Sequence, residues 1–224
     1  MSRFATVAAG LLIAPALLAA SVAHAHQAGD VIVRAGAVTV DPREDSSAIE
    51  AGGVALGGKA TLDSNTQLGL NFAYMLTDSV GIELLAATPF QHDVGISGLG
   101  ALDGKLGTIK HLPPTLSAIW YPMQSNSAFQ PYVGAGVNFT WFFDEELSSS
   151  REAGGFDGFR LDNSWGLAGQ VGADFMLTEN VMLNAQVRYI DISTTGKTSL
   201  GGAPIEVDVD VDPWVYMVGL GYKF

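Results

Sequence analysis

From Val31 to the C-terminus, apolar residues recur at every second position, in separate runs divided by polar stretches. The pattern is plainest at the end of the chain, where Trp214, Tyr216, Val218, Leu220, Tyr222 and Phe224 alternate with Val215, Met217, Gly219, Gly221 and Lys223. Successive side chains on a β-strand point to opposite faces, so this segment has one greasy face and one small or polar face. The same alternation runs through residues 181–189, 164–175, 133–141, 80–87 and 67–74, and more weakly through 31–40 and 115–121, which makes eight strands. Short turns are predicted near 76–79, 122–129 and 177–180, and long polar stretches at 41–65, 91–109, 144–163 and 193–212.

Alternating short and long connections between eight strands put both termini on the short-turn side, the layout of an all-β, antiparallel, up-and-down transmembrane barrel. A sheet in lipid must close, because an open edge would strand unpaired backbone groups in hydrocarbon. Trp214, Trp165, Trp141 and Tyr189 fall at one end of their strands and Phe224, Tyr222 and Phe175 at the other, as two interfacial girdles would. The competing architecture is a secreted lipocalin-like barrel with the greasy face inward. Only 15% of the residues are charged, where a soluble surface carries about twice that share. The membrane barrel is therefore the expected fold.

The N-terminus bears on location. Residues 1–25 carry one early charge, Arg3, then an apolar run, then Ala23-His24-Ala25, the three parts of a secretory signal with a small-x-small cleavage box. Removal of 1–25 would leave residues 26–224 as one domain beginning at His26. No cysteine is present, so neither disulfides nor thiolate metal sites are available. A net charge of -12 argues against nucleic acid as a partner. Mean hydropathy is +0.26 although 27 residues are glycine. The apolar residues are abundant but dispersed.

Several strings are specific: Asn65-Thr66-Gln67-Leu68-Gly69-Leu70, residues 81–90 ending Thr88-Pro89-Phe90, His111-Leu112-Pro113-Pro114-Thr115, residues 130–138, Ser164-Trp165-Gly166 and residues 219–224. Together they closely resemble the OmpW family of outer-membrane proteins, which includes AlkL-type importers, across essentially the whole chain after the signal. The resemblance implies a monomeric barrel in the outer membrane of a Gram-negative cell, in contact with its lipids and lipopolysaccharide. It also implies a narrow apolar channel for passive uptake of small hydrophobic molecules, which enter among the outer loops and leave sideways through the wall into the bilayer. Neither an energy source, a cofactor nor a catalytic group is needed. The alternatives are a surface-interaction protein that conducts nothing, or a weakly cation-selective channel.

A sideways exit needs a weak place in the hydrogen-bonded wall. Proline lacks the N–H donor, so Pro89, Pro113 and Pro114 are lateral-gate candidates, unless they merely end strands. Leu85, Ala87, Met182, Ile190, Met217 and Arg188 share the inward face, as channel lining or as lumen packing. Arg34, Glu83, Asp174, Arg188 and Lys223 point inward with mixed signs and are expected to pair with one another. His92, expected in a loop, with Asp93, or else His111 just before Pro113, is what an enzyme would recruit; the spacing supplies no dyad geometry, and no enzyme is expected. Glu206, Asp208, Asp210 and Asp212 alternate with valines before the last strand and are expected to form a solvated acidic extension, with no metal site.

Overall fold

The structure, a computed structural model, describes residues 25–224; the candidate signal, residues 1–25, lies outside them apart from Ala25. Eight strands build the wall: β1 (Val31–Asp41), β2 (Asn65–Met75), β3 (Val80–Ala87), β4 (Thr115–Trp120), β5 (Phe129–Leu147), β6 (Ser164–Met176), β7 (Val181–Ile190) and β8 (Trp214–Lys223). Each pairs antiparallel with its neighbours in sequence, and β1 pairs with β8 from Ile32↔Lys223 to Asp41↔Trp214. The sheet is therefore a closed up-and-down barrel without an edge. Among the described residues no helix is long and apolar enough to cross a membrane.

Polarity is inverted relative to a water-soluble barrel. The wall presents residues such as Leu68, Phe72, Leu116, Val137 and Val218 outward, and Leu167 is 68% exposed. Polar residues fill the inside, and Asn71, Glu83, Asn138, Asp174 and Asn184 are fully buried. This is the arrangement lipid demands: hydrocarbon solvates the outer face, and polar side chains satisfy one another within. Two of the short turns repeat one device. The hydroxyl oxygens of Thr77 and Thr178 accept the N–H groups two and three residues on, from Ser79 and Val80 and from Asn180 and Val181.

The long polar stretches are not loops. They carry most of a second architecture above the barrel, and the sequence expectation is corrected here. Strands Asp45–Ser46, Ile49–Ala51, Val54–Gly57, Phe156–Leu161, Ser193–Leu200 and Ala203–Asp210 form one sheet. Strands Lys59–Leu62, Phe90–Ser97 and Gly104–Leu112 form another, continued by the outer half of β5. The alternation of acidic residues with valines at 206–210 belongs to a strand with one buried face. Glu206, Asp208 and Asp210 are exposed while Val209 is buried and Ile205 and Val207 pack against the core. Ser193 and Thr195 donate hydrogen bonds to Asp210 and Asp208 on the solvated side.

Candidate functional site

The interior is layered. At the base, Ile32, Met75, Ile119, Tyr121, Tyr132, Met176 and Met182 form an apolar cluster. Above it lies an ionic layer. Arg34 donates to Asp174 from Nε (3.0 Å) and Nη2 (2.6 Å), and from Nη1 to Glu83 (3.1 Å). Arg188 donates to the other Glu83 oxygen (2.7 Å) and to Gln170, which itself donates to Glu83 (2.9 Å). Tyr121, Asn184 and His26 all donate to Asp174. Tyr132 lies over Gly172, where a Cβ would come within 2.5 Å of its ring. Glycine there lets the phenol reach Gln186. Each buried charge thus has an opposite charge in contact, the condition under which such groups are tolerated in a low-dielectric interior. The inward charges pair as expected, except that Lys223 meets Asp30 (3.8 Å) at the rim.

Over the ionic layer the interior turns apolar again, continuously from the upper barrel into the extension. There the two outer sheets surround an apolar cavity of about 130 Å³, lined among others by Ile49, Leu56, Leu102, Phe156, Leu200 and Ile205. A narrower space of about 20 Å³ lies below it and shares Leu62 and Leu161 with it. Val40, Ile109, Phe142, Val211 and the histidines His92 and His111 line this neck.

The six channel-lining candidates all project inward, but none lines the large cavity. Leu85, Ile190 and Met217 are buried in the upper apolar core with Ala87 packed against it, Arg188 sits in the ionic layer, and Met182 lies beneath that layer. The cavity residues were missed because they fall in the polar stretches. The signal that would have found them is the apolar half of the Ile205–Val211 alternation.

The prolines lie together at one place in the wall. β3 and β4 pair up to Leu85↔Thr115, and the ladder between those two arms resumes at Phe90↔His111. Between these points Pro89 and the Pro113-Pro114 pair face each other across an interruption. A recess there is lined by Ala86, Ala87, Leu112, Pro113, Pro114, Phe139 and Trp141. The diproline carbonyls are held by the Asn138 amide, which donates to Pro113 (3.1 Å), Pro114 (3.2 Å) and the Thr115 hydroxyl (3.0 Å). The neck lies one residue inside this break, since His111 precedes Leu112 and Phe90 follows Pro89.

His92 is not in a loop but on the Phe90–Ser97 strand, buried, and the fold brings it to His111 with Nε2 to Nε2 at 2.9 Å. Both histidines are above the outer aromatic girdle: His111 lies one register step beyond the Leu112↔Trp141 pair, and His92, opposite Ile109, lies farther out. Burial holds His92 below its ordinary pKa. Burial, then the neighbouring His92, pushes His111 down to about 3. Both rings are neutral at neutral pH. Among the described residues no group of three or more His, Asp or Glu is arranged to hold a metal ion.

A closed eight-stranded wall, an outward apolar belt with aromatic girdles, and paired charges in the lumen define a bacterial outer-membrane β-barrel protein. The sequence pattern of the OmpW family matches residues 27–224, and the chain belongs to that family. It is 46% identical to outer membrane protein W of Vibrio cholerae, over 96% of this chain and 97% of that one. The crystal structure of the outer membrane protein OprG from Pseudomonas aeruginosa superimposes with a TM-score of 0.87 at 56% identity, covering 90% of this chain and 98% of the other. A more distant relative, 28% identical over 75% of this chain and 76% of its own, is the dibenzothiophene metabolism operon protein PahQ of Pseudomonas aeruginosa. The protein resides in the cell outer membrane.

Proposed function

We propose that the protein admits small hydrophobic molecules passively across the outer leaflet and releases them sideways into the bilayer. The observation that carries this is the apolar cavity of about 130 Å³ above a floor of paired charges. An apolar solute gains by entering the cavity and loses by crossing a layer that would have to surrender its ion pairs, so the favourable direction is lateral. Pro89, Pro113 and Pro114 supply the exit, because the ladder between β3 and β4 is interrupted beside the neck. Leu85, Ala87, Ile190 and Met217 act as the packed shelf beneath the passage, and Arg188 as part of the floor.

A conduit of this kind only has to shield its cargo across the charged, hydrated lipopolysaccharide layer. The inner leaflet is already a good solvent for the solute. No catalytic step enters. The relative named for a dibenzothiophene metabolism operon lends support, since that compound is a fused aromatic. The test is uptake of naphthalene by cells with and without the protein. Faster uptake in its presence is expected, and equal rates would remove the transport reading.

A further inference from the structure

His111 and His92 are the polar side chains lining the neck, and their protonation follows from their neighbours. The Nδ1 atom of His92 is 2.6 Å from the carbonyl oxygen of Asp63. A carbonyl only accepts, so His92 Nδ1 carries the proton and donates it. In a neutral imidazole the other nitrogen is then an acceptor, and His92 Nε2 must receive its 2.9 Å hydrogen bond from His111 Nε2–H. That spends the one proton of neutral His111 on its Nε2. Its Nδ1 is left as a bare lone pair, buried and without a hydrogen-bond partner. The depressed pKa values of both rings agree with this neutral relay. Phe90 and Phe142 flank the His111 ring at 5.5 and 5.7 Å between centroids, so the surroundings are otherwise apolar.

A buried acceptor without a donor costs free energy that a suitable ligand recovers. We propose that the neck receives the O–H or N–H donor of an apolar solute, such as an alcohol, a phenol or an N-heterocycle, whose body lies in the cavity above, with His111 Nδ1 as its acceptor. His92 is the positioning residue, which together with the Asp63 carbonyl sets the tautomer of His111. A pure hydrocarbon occupies the cavity above but leaves the lone pair in the neck unmatched, so it passes without being held. This inference rests on the uptake reading, because the solute must reach the neck from the cavity above.

The experiment measures binding of 2-naphthol and of naphthalene to the protein in phospholipid nanodiscs, each corrected for partition into protein-free discs. The wild type is compared with His111→Phe and with the double variant His92→Phe/His111→Phe, which leaves no unpaired imidazole behind. Heat-modifiable migration on gels establishes that each variant is folded. The wild type is expected to favour 2-naphthol by about fivefold, and both variants to lose that preference while still binding naphthalene. An equal preference in wild type and variants would overturn the proposal. So would side-chain nitrogen spectra of the wild type showing the His111 proton on Nδ1, whatever the variants do. If neither probe binds to the wild-type neck while naphthalene still enters cells faster with the protein, the neck site falls and the uptake reading stands. Failure of both removes both.

Discussion

The membrane barrel and the outer extension use the same period-two alternation and bury opposite halves of it. In the barrel the apolar half faces out and the interior holds Arg34, Glu83, Asp174 and Arg188. In the extension the apolar half, with Phe156, Val209 and Ile96, faces in, and Glu206, Asp208 and Asp210 face water. The backbone rule is identical, and the solvent decides the sign. Where the chain leaves lipid its polarity inverts, and the cavity lies on the watery side of that inversion. The apolar space therefore opens above the membrane, while the lumen within it is closed by packed apolar side chains and a layer of ion pairs.

The comparison breaks most sharply at the ionic layer. Replacing Arg34 by Met leaves Asp174 and Glu83 short of a partner and is expected to cost about 4 kcal/mol, read as a lower urea midpoint for barrel unfolding in lipid vesicles. An unchanged midpoint would mean that the charges are not coupled as the geometry indicates. Val218, midway along β8 and facing lipid, is next. Val218→Arg should cost about 3 kcal/mol in the same assay, whereas a water-facing wall would tolerate it.

Acid acts on the extension instead. His111 titrates near 6.5 when unfolded and at about 3 in the native state, so the unfolded chain binds the extra proton between those values. Its contribution is therefore complete above pH 6.5 and is lost as pH falls toward 3. His92 and the carbonyl of Asp63 are the groups it is linked to, and His92 is shifted in the same direction. Between pH 7.5 and 5 the loss for this one group is about 2 kcal/mol. Amide exchange in Phe90–Ser97 and Gly104–Leu112, corrected for intrinsic rates, should show reduced protection at pH 5 while β8 does not, and His111→Phe should weaken that difference. Equal pH sensitivity in both regions would sink the distinction. The smallest effect belongs to Asp208→Val on the exposed face, expected within about 0.5 kcal/mol by the urea midpoint.

Where the alternation was uncluttered, as in 214–224, the strand could be read with its facing and its girdle residues, and the observed β8 differs only at its last residue. Where small polar residues occupied one face, as in 193–200, the alternation passed for a loop, and the valines of 205–211 were read as part of a solvated acidic extension with no core behind it. Charge signals exposure more loudly than a few valines signal a core. The prolines were legible as breaks because a missing N–H is a local property. Their meeting across one seam, and the Asn138 amide that holds their carbonyls, depends on the register between β3, β4 and β5.

By itself the sequence determined the strands, their inward and outward faces and the need for closure, because side-chain alternation is local and a sheet in hydrocarbon cannot keep an edge. It also determined the family. Only the tertiary structure decided which inward charges meet, that the polar stretches fold over an apolar cavity, and that His92 and His111, nineteen residues apart, come within 2.9 Å of each other. Those outcomes are set by pairing between distant segments, where a shift of one residue turns every side chain to the other face.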